Sequence, residues 1–175
     1  MKIILVCGVI GSGKDYFVKQ YKLDHPHEDV EEKKFAYPIR LFTGKLVGVN
    51  LLNETTYESW KADPKNRQLL VDVGQFMKDA TSNDIWAVGV LKQLTEDKTY
   101  IISDFRFPIE LRTICAIHSP IIHFCNYKSN RYTINPNQIS EKMACYLVSR
   151  GIQNGQEFNC GEFETIIREY EQIGG

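Results

Sequence analysis

Residues Lys2–Cys7 (K-I-I-L-V-C) form a continuous apolar run of strand length, with no alternation of polar positions. A strand covered on both faces has this pattern, whereas one with a wet face alternates. Residues 99–103 (T-Y-I-I-S) and 121–125 repeat it, and Glu157-Phe158 is long enough for a short strand only. The segments between carry helical spacing. Residues 15–21 place Phe17, Val18 and Tyr21 on one side, and Pro38 opens a helix that ends near Gly48, since proline is well tolerated in a first turn. Pro64 opens another, with Leu69, Leu70, Val73, Phe76 and Met77 on one stripe. Thr81-Ser82-Asn83-Asp84 is a capping cluster ahead of a helix over 85–94, and residues 108–117, 141–150 and 162–170 complete the helices. The charged stretch 25–34 reads as loop and 34–37 as a short strand. Residues 50–63 are ambiguous, and the polar stretch 126–137 reads as a loop. Strands alternating with helices predict an α/β fold, a mainly parallel sheet with helices on both faces, in one domain over residues 1–175.

Charge narrows the function classes. The 175 residues include 21 Lys+Arg against 22 Asp+Glu, a formal charge of −1. That balance argues against a sequence-independent nucleic-acid binder, which needs a basic face to displace counterions. No apolar run of about 20 residues is present to cross a bilayer. The run after Met1-Lys2 leads into Gly11-Ser12-Gly13-Lys14, so it reads as a buried strand and not as a secretion signal. The five cysteines, Cys7, Cys115, Cys125, Cys145 and Cys160, are odd in number and none stands at C-x-x-C spacing. They predict neither a disulfide framework nor a zinc site, but reduced thiols in a cytoplasmic protein. His25 and His27 read as part of a solvated loop, as do the acidic residues Glu28, Asp29, Glu31 and Glu32.

Gly8-Val9-Ile10-Gly11-Ser12-Gly13-Lys14 fits G-x-x-x-x-G-K, with a buried strand before it and an amphipathic helix after it. That context gives the motif its meaning. Glycines let the backbone curl so that several N–H groups converge on a phosphate. The helix start adds its dipole, and Lys14 adds a full charge. Position 15 departs from the usual Ser or Thr. Asp15 offers a hard oxygen for Mg²⁺, directly or through water, or caps the helix.

The loop is followed by Phe35-Ala36-Tyr37-Pro38-Ile39-Arg40, by Arg67-Gln68-Leu69-Leu70 with Gly74, by Asp84-Ile85-Trp86, and by Ser103-Asp104-Phe105-Arg106-Phe107-Pro108-Ile109-Glu110. Gln138-Ile139-Ser140-Glu141 and Asn159-Cys160-Gly161-Glu162 come later. In this order the segments resemble the deoxynucleoside monophosphate kinases of bacteriophages and their relatives, over almost the whole chain. The G-K-D loop and the D-F-R-F-P-x-E segment are the specific parts. The resemblance implies a P-loop kinase fold, a three-layer sandwich with strand order 2-3-1-4-5, and a short lid-like loop at about 126–137. It implies transfer of the γ-phosphoryl of ATP, with Mg²⁺, to a deoxynucleoside 5′-monophosphate. By resemblance Gly8, Gly11, Ser12, Gly13, Lys14, Asp15 and Tyr16 hold ATP, and Arg67 and Arg106 hold the acceptor phosphate. Gln138 stands where the family has His, Asn126 near where relatives have Arg, and Tyr37 where they have a small or acidic residue.

Phosphoryl transfer needs in-line positioning and neutralised charge more than a protein nucleophile. The motif-borne cations are Lys14, Arg40, Arg67 and Arg106, with Lys128 and Arg131 on the lid-like loop. Asp104, at the carboxyl end of a buried strand, can hold a Mg²⁺-bound water or orient Arg106; its other reading is a helix N-cap before Pro108. Arg40 and Arg67 are either acceptor-site residues or solvated helix arginines. Trp86 either stacks on a base or belongs to the core. The expected partners are small-molecule nucleotides, with no nucleic acid and no membrane; homodimer formation is left open. Animal-type phosphomevalonate kinases share G-K-D and S-D-x-R, and a catalytically degenerate ATP-binding regulator shares the loop. Lys14, Arg67 and Arg106 are expected to face one cleft, away from the acidic residues near 28–32.

Overall fold

The most apolar run of the sequence takes the middle of the sheet. Strand β1 (Lys2–Cys7) is flanked by β3 (Thr99–Ile102) and β4 (Ile121–Phe124), both parallel to it, with Ile4 opposite Ile101 on one side and Ile121 on the other. Ile3, Ile4, Leu5, Val6 and Cys7 are all buried, as a strand with neighbours on both edges and helices on both faces requires. The sheet order is β2-β3-β1-β4-β5, where β2 is Val30–Lys33 and β5 is Glu157–Phe158. The first four strands are parallel, and β5 runs antiparallel to β4. The structure is a computed structural model and describes residues 1–127 and 139–174. The chain forms two compact units, Met1–Lys34 with Leu94–Gly175, and Phe35–Gln93.

In the first unit, helix α1 (Lys14–Asp24) covers one face of the sheet. Its Phe17, Val18 and Tyr21 pack with Ile4, Val6, Ile101 and Cys125. Period-two alternation turns Leu5 to the other face. Ile122 lies there in register with Leu5, next to Phe158, which meets Phe163 edge-on. Phe163 belongs to α8 (Cys160–Gln172), which packs on β4 and against α6 (Pro108–Cys115) and α7 (Ile139–Ser149).

The second unit is helical: α2 (Tyr37–Val47), α3 (Glu54–Lys61), α4 (Pro64–Ala80) and α5 (Ile85–Leu91), with α2 and α3 packed on α4. Gly48 ends α2 with φ of 71°, a conformation that a side chain disfavours. The ambiguous stretch 50–63 resolves into α3, whose Asn53 side chain accepts the Thr56 N–H at 2.9 Å. Asp63 caps α4 in the same way through Lys65 N–H, also at 2.9 Å.

Two expectations are corrected. The acidic stretch is loop only as far as Asp29: Val30–Lys33 is the sheet's edge strand, paired from Val30↔Thr99 to Lys33↔Ile102, while the segment around Phe35 and Ala36 forms no strand. Its carboxylates have partners: Glu31 with Lys33 at 2.6 Å and Lys98 at 3.2 Å, Glu28 with Thr99 Oγ1 at 2.8 Å, and Glu32 with Ser103 Oγ. Charge on an edge strand guards it against pairing with another chain, so apolar periodicity is no guide to it. The second correction concerns the cysteines. Cys115, which ends α6, is disulfide-bonded to Cys160, which starts α8, while Cys7, Cys125 and Cys145 are free thiols. The two partners lie 45 residues apart, and only the packing of α6 on α8 brings them together. No helix among the described residues is long and apolar enough to cross a membrane.

Candidate functional site

Three parallel strands end on one edge of the sheet, and the chain leaving each of them carries a sequence-predicted residue. In open α/β sheets this edge is where ligands gather. After β1 comes the glycine-rich loop, where Ser12 N–H donates to Val9 O at 3.1 Å and Phe17 N–H to Gly13 O at 2.8 Å, so that loop passes into helix without a break. Gly8 allows close approach: a Cβ there would lie 2.3 Å from both the Cys125 carbonyl oxygen and Ser12 Oγ. Gly13 has φ of 89°, and a Cβ on it would strike the ring of Tyr127 at 2.5 Å. Tyr127 follows β4, donates its N–H to Ser12 O at 3.1 Å and meets Tyr16 edge-on, with ring centroids 5.9 Å apart. Both tyrosines are exposed.

Lys14 is the first residue of α1, with Gly13 as its N-cap. Its ammonium is turned back onto the loop, donating to Gly8 O at 2.7 Å and Val9 O at 2.8 Å. Burial, and then the nearby charge of Arg106, hold the Lys14 ammonium below the ordinary lysine pKa. Ser12 Oγ is buried without a hydrogen-bond partner among the described residues. Asp15 lies in the first turn and is not the cap. Its side chain is 91 % exposed, with Lys34 Nζ 3.9 Å away.

Asp104 sits in the turn directly after β3, and Arg106 two residues on. The helix that follows is capped at Phe107, so Asp104 does not fill the N-cap role. Glu110 reaches back instead: its Oε2 accepts the N–H of Arg106 at 2.9 Å and of Phe107 at 3.0 Å. The carboxylate of D-F-R-F-P-I-E thus fixes the backbone of the arginine in the same segment. The guanidinium is held from elsewhere. Arg106 Nη1 donates to Glu141 Oε1 at 2.7 Å, and Glu141 Oε2 accepts the N–H of Ile10, inside the glycine-rich loop, at 2.8 Å. One carboxylate, only 3 % exposed, therefore ties α7, the loop and Arg106 together.

The remaining predicted residues belong to the helical unit. Arg40 is 3 % exposed; its Nε donates to Leu51 O at 2.9 Å, its Nη1 to Glu54 Oε1 at 2.9 Å, and its guanidinium stacks 3.7 Å over Tyr57. It is not the solvated helix arginine of the alternative reading, because its charge braces the turn after α2. Arg67 is exposed on α4, and Trp86 is buried on α5. Lys128, Arg131 and Gln138 lie outside the described residues, as does most of the lid-like loop. Asn126 N–H donates to Asn154 Oδ1 at 2.7 Å.

The structure therefore brings Lys14 and Arg106 to one place. Sequence reasoning missed the residues that hold Arg106: Glu110 and Glu141, each quoted in a motif segment without a role. No protein-family model matches the chain, and no curated protein sequence matches it.

Proposed function

We propose that this protein has a P-loop kinase fold and transfers the γ-phosphoryl of ATP to the phosphate of a deoxynucleoside 5′-monophosphate, releasing ADP and the nucleoside diphosphate. The observation that carries this reading is the pairing of Lys14, folded into a glycine-rich loop after the central strand, with Arg106, held against that same loop through Glu141. Two cations at the carboxyl edge of a parallel sheet suit a reaction in which about six negative charges must share one site.

Fit to a polyphosphate rests on the cradle itself. A side chain at Gly8 would strike Cys125 O and Ser12 Oγ, and one at Gly13 the Tyr127 ring, so glycine is what lets the loop keep this turn; Ser12 Oγ within it is buried without a partner among the described residues. Lys14 swings from the Gly8 and Val9 carbonyls onto the donor phosphates, while loop N–H groups hold them from below. Arg106 meets the acceptor phosphate bidentately. Mg²⁺ bound with ATP would neutralise developing charge between the phosphates, and Asp15 and Asp104 are the carboxylates that would hold it or its waters. We assign Arg40 no acceptor role in this reading, since its Nε and Nη1 are engaged within its own unit.

A coupled assay of ADP formation with ATP, Mg²⁺ and a panel of phosphorylated acceptors tests the proposal. Stimulation by at least one deoxynucleoside monophosphate is expected. Stimulation by phosphomevalonate alone would transfer the reading to that related kinase class, and ATP binding with no acceptor-dependent turnover would leave a regulator.

A further inference from the structure

We propose that Glu141 is a positioning residue: its carboxylate sets the guanidinium of Arg106 at the phosphate-binding loop and thereby sets affinity at the acceptor end of the site. The inference rests on the phosphate-site reading above and goes beyond it by making Glu141, there only a tie between Arg106 and the loop, a determinant of acceptor affinity. Three observations carry it. Glu141 is 3 % exposed, and a carboxylate taken out of water costs several kcal/mol unless strong hydrogen bonds replace its hydration. Its two oxygens are divided between two partners, the Ile10 N–H at 2.8 Å and Arg106 Nη1 at 2.7 Å. Arg106 is meanwhile fixed at its backbone by Glu110, so the residue is clamped at both ends.

Clamping matters because an arginine carries five N–H donors on a flexible stem, and freezing that stem costs entropy when a ligand binds. An arginine already frozen pays that cost in folding, leaving more of the phosphate contact as affinity. No other side-chain hydrogen bond of Arg106 is found among the described residues, and its side chain is 31 % exposed, so part of the fork is accessible. A carboxylate in a phosphate site would otherwise repel the ligand. Here its charge is matched by Arg106, and its second oxygen is engaged by the loop.

The test is a double-mutant cycle on the full chain, with inorganic tetrapolyphosphate as the probe, since four linked phosphates match three from a donor and one from an acceptor. Glu141→Gln keeps the shape and removes the charge. Calorimetry of wild type, Glu141→Gln, Arg106→Gln and the double variant should show each single change weakening binding about 10-fold, with the double no weaker than Arg106→Gln alone. In turnover, Glu141→Gln should raise the acceptor KM about 10-fold while the ATP KM moves less than about threefold. Tighter binding by Glu141→Gln would show that the carboxylate competes with phosphate, and additive losses would show that it does not act through Arg106; either result overturns the proposal. A lowered Tm with unchanged affinity would reduce Glu141 to a brace and overturn it as well. Tetrapolyphosphate binding without turnover on any acceptor would sink the kinase reading and still leave the cycle to decide Glu141. No binding by the wild type would sink both.

Discussion

Arg106 and Arg40 stand in similar sequence surroundings, F-R-F-P and Y-P-I-R, each beside a proline that opens a helix, yet the fold uses them in opposite ways. In the first unit Arg106 leaves its backbone to Glu110, one corner of its fork to Glu141, and keeps part of its side chain accessible. In the helical unit Arg40 sets Nε on a carbonyl, Nη1 on a carboxylate and its plane on a tyrosine face. The difference lies in what surrounds the charge. A guanidinium met by one buried carboxylate is aimed, whereas one met on several sides is structural. The units also differ in how they are closed. The first carries the Cys115–Cys160 disulfide, and the second, Phe35–Gln93, contains no cysteine.

The widest break between the two regions should come at Lys14. On the proposed reading Lys14→Ala should lower turnover about 10³-fold with far-ultraviolet circular dichroism and Tm near wild type, because the ammonium would support charge in the transition state and meets only loop carbonyls in the resting protein. A large Tm loss would place Lys14 in the fold and not in the chemistry. Next comes the disulfide. A 45-residue separation corresponds to about 4 kcal/mol of chain entropy removed from the unfolded state. Cys160→Ser should therefore lower the denaturant midpoint strongly, and dithiothreitol should do the same to wild type but not to the variant. Equal midpoints with and without reductant would show that the pair contributes nothing. Third, Arg106→Ala should cut kcat/KM for the monophosphate about 100-fold and also lower Tm, because the buried Glu141 carboxylate is left without its cation. Arg40→Ala should cost stability alone, about 2 kcal/mol from its lost charged hydrogen bond to a buried carbonyl, and leave kcat/KM of the surviving enzyme near wild type. If both variants lost kcat/KM equally, the contrast between the two arginines would collapse.

What the sequence made legible follows the same division. The central strands were readable because both of their faces are buried, so composition alone marks them, and the proline-opened helices were readable because their first turns announce themselves. Val30–Lys33 was not, since an edge strand with Glu31 and Glu32 hides its β-character under charge that its neighbours satisfy. The glycine-rich loop could be read because backbone geometry demands glycine at fixed spacing. Glu141 could not, because its meaning depends on two partners, one 131 and one 35 residues away, that only the packed fold supplies. Cys115 and Cys160 were hidden for the same reason: an odd cysteine count argued against pairing, and proximity overruled it.

The finest distinction concerns how strongly Arg106 is felt at the loop. Burial comes first and the Arg106 charge second in holding Lys14 below the ordinary lysine pKa of about 10.4. Only the ammonium form attracts phosphate, so tetrapolyphosphate affinity of the wild type should fall as pH rises through that lowered value. Arg106→Gln removes the second cause, which raises the Lys14 pKa and keeps the ammonium charged to higher pH. The variant should bind more weakly at neutral pH, yet lose its remaining affinity at a higher pH than wild type. The nearby thiols do not blur the reading, since burial pushes Cys7 up to about 12 and Cys125 to about 11, leaving both neutral across the range in question. Calorimetric titrations between neutral pH and the ordinary lysine range would show the two midpoints directly. Coincident midpoints would mean that Arg106 and Lys14 do not sense each other's charge, and the shared site would lose its electrostatic basis.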